Sequence, residues 1–218
     1  MKIIAHIQTD FKDKFGIPRQ SGRVPSLSGR IVFEKEYQNP DALRGLDGFS
    51  HLWLIFDFSQ SHREEWSPTV RPPRLGGNRR IGVFASRSPF RPNPIGLSVV
   101  KLESIESGEL IVSGVDLLDG TPIYDIKPYL PFADSIPNAV GGYAADFEEY
   151  RLDVDFPEAL LQMLPKEKQQ TAIDCLAQDP RPAYQEDERR YSMAFADFDI
   201  RFFVKENTAH VTEIERRN

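Results

Sequence analysis

The sequence predicts a mainly β protein: an all-β N-terminal domain over residues 1–140 and a small α+β C-terminal domain over residues 150–218. Three observations carry this. Seven or so short runs of strand length, separated by turn residues and with little helix between them, occupy the chain to about residue 135. That is the pattern of a β-barrel or a sandwich. Beyond a polar, glycine-containing linker at 137–150 the periodicity becomes helical. A chain of 218 residues, 40% hydrophobic, can bury the core of one large domain or of a domain with a small extension.

The elements follow in order. Residues 2–8 alternate loosely and end at a polar turn, as a first strand does. Residues 11–25 form a loop rich in Gly, Pro and charge, and 28–33 a second strand. Residues 40–46 read as a short helix beginning after Asn39. Residues 49–58, FSHLWLIFDF, are an almost unbroken apolar run, suited to a buried strand. Strands at 80–85 and 95–105 flank an Arg/Pro loop. Two more, 109–116 and 122–127, are joined through Leu118-Asp119-Gly120-Thr121, where Gly after Asp suits a tight turn at positive φ. In the second domain, 156–164 and 166–178 read as helices, with Pro165 in the favoured first turn of the latter. Ala172, Ile173, Cys175 and Leu176 share one face, which makes Cys175 a small core residue and not a nucleophile. DPRPAY at 179–184 breaks the helix; 191–204 alternates as a strand, with 211–214 as its partner.

Composition removes several function classes. A pI near 5.3 argues against nucleic-acid binding by the whole surface, though not by a local patch. The single cysteine excludes an intramolecular disulfide and suits a reducing compartment. The N-terminus MKIIAHIQTDFKDKFG is too polar for a signal peptide, and no apolar window is long enough for a transmembrane helix, so a cytoplasmic protein is expected with no membrane partner. There is no phosphate-binding G-x-x-x-x-G-K-S/T loop and no G-x-G-x-x-G after a strand, which excludes dinucleotide folds and Rossmann-type methyltransferases. His6, His51, His62 and His210 lack ligand spacing, so no metal is expected. His51, inside FSHLWLIF, reads as a core or rim histidine, and there is no G-x-S-x-G elbow for acyl chemistry.

The charge is distributed unevenly. Arg71, Arg74, Arg79, Arg80, Arg87, Arg91 and Lys101 lie between Trp66 and Leu102 with no Asp or Glu among them, which leaves −13 for the rest of a chain whose net charge is −6. Pro72, Pro73, Pro89, Pro92 and Pro94 stiffen the same stretch by fixing φ. Arginines on a preorganised loop suit a phosphate or carboxylate, which the guanidinium fork binds bidentately. A basic loop that merely balances acidic neighbours is the plainer reading.

Five blocks carry a resemblance: Pro18-Arg19-Gln20, GFSHLW at 48–53, RPPRLGGN at 71–78, GVFASRSPFRPNPIG at 82–96 and DGTPIYDIKPY at 119–129. In this order they resemble the TsaA-like family, and within it the bacterial tRNA methyltransferases. The likeness covers residues 1–135, and DPRPAY resembles the C-terminal extension of the full-length bacterial members. The resemblance implies a β-barrel that binds S-adenosyl-L-methionine, a homodimer with active sites near the subunit interface, and methylation of the exocyclic nitrogen of threonylcarbamoyl-adenosine beside the tRNA anticodon. It also implies cofactor contacts from Pro18, Arg19, Gln20, Ser59, Gln60, Arg87 and Leu97, and from Asp119, Gly120, Thr121 and Pro122. A close relative carries His-Gln where this chain has Ser59-Gln60; a serine can donate a hydrogen bond but offers no ring.

Chemistry assigns roles within that frame. An arginine grips the cofactor carboxylate, Asp119 faces a cationic group or the ribose hydroxyls, and backbone near Gly120 and Pro18 reads the adenine edge. The accepting nitrogen lies between an adenine ring and a carbonyl, so it must shed its proton; Asp125 and Tyr129 are the candidate bases, against a plain pairing of Asp125 with Lys127 or an Arg. Arg71, Arg74, Arg79, Arg80 and Arg91 are expected to face tRNA, with the C-terminal domain around Arg181 and Tyr184 as the rival footprint. Two other functions stay open on the residues alone. One is a non-catalytic RNA-binding barrel using the arginines with Trp53 and Trp66; the other is a methyltransferase for a small anionic molecule. Cofactor binding separates the former from an enzyme, and salt-dependent tRNA binding separates the latter from a tRNA enzyme.

Overall fold

The computed structural model describes residues 1–75, 79–182 and 189–217, and of Arg74 the backbone alone. The first half runs β1 (Ala5–Thr9), β2 (Ser28–Phe33), β3 (His51–Asp57), a short ribbon of β4 (Thr69–Val70) and β5 (Ile81–Gly82), then β6 (Ile95–Glu106), β7 (Glu109–Ser113) and β8 (Thr121–Pro128). Six of these close into a barrel in the order β1-β2-β7-β6-β3-β8, with every neighbouring pair antiparallel. Closure leaves no edge strand, and the inside must be filled by alternate side chains. Hence β3 is not buried on both faces, as its unbroken apolar run predicts. Leu52, Leu54 and Phe56 point inward and are buried, while Trp53 and Ile55 lie outside and half-buried. Ile7, Ile31, Val100, Leu110, Val112 and Ile123 complete the filling.

The connections decide where a ligand can sit. Residues 107–108 turn tightly between β6 and β7. Residues 10–27, 58–94 and 114–120 are long, and the registers Gly29↔Thr9, Asp57↔Ile95, Ser28↔Ser113 and Ile7↔Thr121 bring all three out at one rim. Gly96 lies opposite Phe56 at that rim, and a β-carbon on it would fall 2.2 Å from the Phe56 ring.

The second half holds α1 (Pro131–Asp134), β9 (Asp153–Asp155), α2 (Glu158–Leu161), α3 (Lys166–Ala177), β10 (Tyr191–Phe195), β11 (Phe198–Lys205) and β12 (Thr208–Arg216). The sheet order is β10-β11-β12-β9, antiparallel except for the pairing of β9 with β12. The predicted single strand at 191–204 is a hairpin: Ala196 takes φ 51°, and the chain reverses between Phe195 and Phe198. The predicted strand at 80–85 is two residues of ribbon followed by a 3-10 turn over Val83–Ala85. The helix expected at 40–46 is a 3-10 turn, Pro40–Leu43, whose first amide is capped by the Asn39 side chain. Cys175 is buried on α3, and burial raises its thiol pKa, as befits a core residue.

The 10–27 loop packs against the C-terminal sheet. The Phe11 ring lies 5.6 Å from Phe195 and Phe15 stacks on Tyr191 at 5.9 Å. Asp10 accepts from Lys168 on α3 at 2.5 Å, and its carbonyl accepts the Ala196 amide at 2.8 Å. One continuous hydrophobic core results, shared by barrel and sheet.

Candidate active site

Between the three long loops lies an open cavity of about 1820 Å³. A single small-molecule pocket takes roughly 300–1,000 Å³, so this one has room for a small cofactor and part of a larger substrate. Its floor is the end of the barrel: Phe56 and Phe58 from β3 and the residue after it, Gly96, Leu97 and Ser98 from β6, and Leu117.

One wall is the 10–27 loop, with Pro18, Arg19, Gln20 and Arg23 in the lining. The C-terminal domain pins it. Arg19 Nη2 donates to the carbonyl of Arg181 at 2.8 Å. Arg23 donates to Gln178 Oε1 at 3.1 Å and to the carbonyl of Glu148 at 2.5 Å. Arg181 is itself fixed by Asp179, 4% exposed, whose carboxylate accepts from the arginine at 2.9 Å and from the Tyr150 hydroxyl at 2.9 Å. The first residues of DPRPAY therefore brace the P-R-Q block; Tyr184 lies outside the described residues.

The opposite wall comes from residues 59–97. Ser59, Gln60, Arg71, Arg80, Arg87, Arg91 and Leu97 line the cavity here. Arg87 Nη1 donates to Gln20 Oε1 at 2.5 Å, which ties the two walls together. Arg80 donates to the Thr69 hydroxyl at 3.2 Å and Arg91 to the Ser86 carbonyl at 3.1 Å. Among the described residues none of Arg71, Arg79, Arg80, Arg87 and Arg91 forms an ion pair with a carboxylate of this chain. Arg79 is exposed beside the lining, and the side chain of Arg74 lies outside the described residues.

The third loop carries the D-G-T-P turn. Thr121 lines the cavity together with Leu117 and Leu118. Gly120 holds φ 73°, as its place after Asp predicts, and its amide donates to the Ile7 carbonyl at 2.8 Å. Asp119, Gly120 and Pro122 stand behind the lining. The Asp119 carboxylate accepts the Thr9 amide at 2.9 Å and the Lys12 ammonium at 2.6 Å, so it fixes the turn to the end of β1.

Asp125 and Tyr129 are not brought to this cavity. β8 leaves the cavity rim at Thr121, and Tyr129 follows eight residues later, roughly 25 Å along the strand, at the opposite rim. There its amide binds the His51 carbonyl and its ring packs on Trp53. Asp125 is mid-strand and pairs with Lys127 at 3.0 Å.

Asp57, Glu64, Glu65, Asp116 and Glu148 also line the cavity, and sequence reasoning missed all five; Asp57 and Asp116 are held there by side-chain hydrogen bonds. Asp116 accepts the Ser98 hydroxyl at 2.7 Å. Burial pushes its pKa up to about 6, against the opposing pull of Ser98, the backbone amides of Asp116 and Ser21, and the charge of Arg87. Asp57 ends β3 and is bound by His62 Nε2 at 2.8 Å. The signal for Asp116 was present: it is an acid between Val115 and Leu117, both buried.

Comparison with known proteins agrees with this architecture. Residues 6–135 match the tRNA-methyltransferase O N-terminal domain, and residues 149–217 match the TrmO C-terminal domain. A tRNA (adenine(37)-N6)-methyltransferase of Escherichia coli K12 is 45% identical over 227 residues, 98% of this chain and 97% of that protein. A Pseudomonas aeruginosa protein named as an S-adenosylmethionine-dependent methyltransferase is 45% identical over 206 residues, 90% of this chain and 89% of its own. The crystal structure of TrmO from P. aeruginosa superposes with a TM-score of 0.81 at 36% identity, covering 98% of this chain and 96% of that one.

Proposed function

The chain belongs to the TrmO family, and from that premise we propose that it is an S-adenosylmethionine-dependent methyltransferase acting on the exocyclic nitrogen of threonylcarbamoyl-adenosine beside the tRNA anticodon. The observation that carries the reading is the convergence of Pro18-Arg19-Gln20, Ser59-Gln60, Arg87 and Leu97 on one cavity that is also lined by Arg71, Arg80 and Arg91, which form no ion pair among the described residues.

The donor set fits that cofactor. Arg87, already oriented by Gln20, offers its free donors to a carboxylate. Asp57 and Asp116 give the cavity a negative field suited to an ammonium and a sulfonium. Leu97, Leu117 and Leu118 provide an apolar bed for an adenine ring. The bound cofactor supplies an electrophilic methyl group. The loops hold the acceptor in line with it, and such positioning contributes on the order of 7–11 kcal/mol to a displacement. Asp116 is the carboxylate with which this chain itself takes the acceptor's proton, since a pKa near 6 leaves it ionised yet basic at neutral pH. Asp125 and Tyr129 could reach a substrate here only from a second copy of the chain.

A homodimer and a cytoplasmic location belong to the same proposal. Phe132, Ile136 and Val140 are exposed by 87%, 71% and 95% on the segment that runs from α1 at the far rim to Ala139 and Gly141 in the cavity lining, and a second copy would cover them. Arg71, Arg79, Arg80 and Arg91 meet phosphates or the threonyl carboxylate, and an anticodon loop already single-stranded lowers the cost of unstacking the target base. Calorimetry tests the cofactor site. The protein should bind S-adenosylmethionine, and Arg87→Ala should weaken binding by about 1.5–3 kcal/mol, the range for a hydrogen bond to a charged group. Unchanged affinity in that variant would remove Arg87 from the site.

A further inference from the structure

Apart from its arginines, the basic wall carries aromatic rings that the methyl-transfer site does not use. Trp66 precedes β4 and Phe84 follows β5, so the ribbon brings them together at its base, 6.3 Å between centroids and 29° between planes. Large rings that meet in a protein are normally buried by the contact, yet Trp66 is 53% and Phe84 74% exposed. A third ring, Phe90, lies nearby in the sequence with the Arg63 guanidinium 3.8 Å from its centroid. Trp66, Phe90 and Arg63 border the cavity.

Resting on the tRNA reading above, we propose that Trp66 and Phe84 are a stacking platform for an unpaired nucleobase of the RNA loop that flanks the base being methylated. The charge around the rings selects this occupant. Glu64 and Glu65 precede Trp66, but from Trp66 to Leu102 the chain has no acid, and the arginines of that stretch form no ion pair among the described residues. A two-fold contact centred on this patch would set its arginines against themselves, cation against cation. A polyanion neutralises it instead. Single-stranded RNA offers both requirements in one molecule: a phosphate for each arginine of the ribbon and a flat π-face for the rings. The stiff prolines on either side of the ribbon hold the rings in place before RNA arrives, so little ordering is spent on binding. A base stacked on the open face of Phe84 would extend the existing two-ring stack, and its backbone would run toward Arg71, Arg79 and Arg80 at the ribbon's other end.

The test uses the full chain and a tRNA with threonylcarbamoyl-adenosine at its anticodon. Trp66→Ala and Phe84→Ala should each raise the KM for tRNA on the order of tenfold while kcat at saturating tRNA is largely kept. Trp66→Phe should restore most of the loss, because a ring is kept. In a Trp53→Phe background, where Trp66 is the sole tryptophan, addition of the anticodon stem-loop should quench its emission. Calorimetry with S-adenosylmethionine and light scattering should match the parent. An unchanged KM, absent quenching, or a lower mass in Trp66→Ala would overturn the platform, the last by making the rings a contact between copies. Absence of methyl transfer in the parent protein would defeat the tRNA reading itself, a result distinct from these.

Discussion

The two walls of the cavity are built on opposite principles. The 10–27 wall is fixed: Arg19 and Arg23 are tied to Arg181, Gln178 and Glu148, Asp10 to Lys168, and Phe11 and Phe15 to the C-terminal sheet. On the 59–97 wall Arg71, Arg79, Arg80, Arg87 and Arg91 form no ion pair among the described residues, and Trp66 and Phe84 stay largely exposed. A small zwitterion needs donors at set positions, and preorganisation saves the cost of arranging them. A polymer brings its own repeated charges and gains from cations whose alternative is water. The difference between the walls is therefore a division of labour between cofactor and RNA, with Arg87 and Gln20 as the joint.

The comparison can be broken at the fixed wall first. Asp179→Asn keeps shape and tolerates the left-handed backbone there, φ 50°, but removes the charge opposite a largely buried guanidinium. Breaking such a pair costs about 3–5 kcal/mol. Chemical denaturation should register that loss, and calorimetry should show weaker cofactor binding as the P-R-Q block loosens. Unaltered cofactor affinity in a destabilised variant would uncouple the C-terminal domain from the site.

Asp116→Asn sharpens the next point with the opposite sign. The carboxyl is held up to about 6 from an ordinary 3.8. As pH rises from about 4 to 6 the unfolded chain releases this proton before the folded one, so the parent loses stability over that window and stays penalised above it. The amide removes the penalty. The variant should be more stable than the parent at pH 8, on the order of 2–3 kcal/mol, and equal to it at pH 4. Methyl transfer should fall sharply above about pH 6, where the parent carboxylate is ionised, and the difference should shrink as pH falls below it. Retained activity would mean that the proton leaves by another route.

At the floor, Gly96→Ala places a methyl group against the Phe56 ring, and overpacking of this kind costs about 1–3 kcal/mol. The melting temperature should drop, and cofactor binding should weaken because Phe56 lines the cavity. On the loose wall, replacing Arg79 and Arg80 together by Ala should change stability by less than about 0.5 kcal/mol. It should raise the KM for tRNA and flatten the salt dependence of tRNA binding by about one unit per lost phosphate contact. A melting temperature that falls with an unchanged salt slope would mean that these arginines serve the fold and that the RNA footprint lies near Arg181.

Most of the barrel was readable from alternation and turn residues. β2 is Ser28–Phe33 as its pattern predicts, and Gly120 takes the positive φ that its turn requires. The errors have physical causes. Alternation at 191–204 runs straight through a reversal, because Ala196-Asp197 turns without a glycine or asparagine to announce it. β9 is three residues, Asp153–Asp155, with two exposed acids, and pairs only because β12 lies beside it. Within the site, residue type marked Arg87 and the basic loop, whereas the joining of Arg19 to Arg181 depends on tertiary packing across 162 positions of sequence. Asp119 is the acid of a turn, yet its oxygens are occupied by Thr9 and Lys12; Asp116, three residues earlier, is the acid of this loop that lines the cavity. Tyr129 shows the reverse. It shares a sequence block with the D-G-T-P turn, but a strand separates them by the height of the barrel.

The direct test of the function is mass spectrometry of nucleosides from tRNA incubated with the protein and isotopically labelled S-adenosylmethionine. Threonylcarbamoyl-adenosine from beside the anticodon should gain one labelled methyl group, tRNA lacking that modification should gain none, and the gain should vanish with Arg87→Ala at limiting cofactor. Label in a different nucleoside, or none in a preparation that binds both cofactor and tRNA, would contradict the assignment.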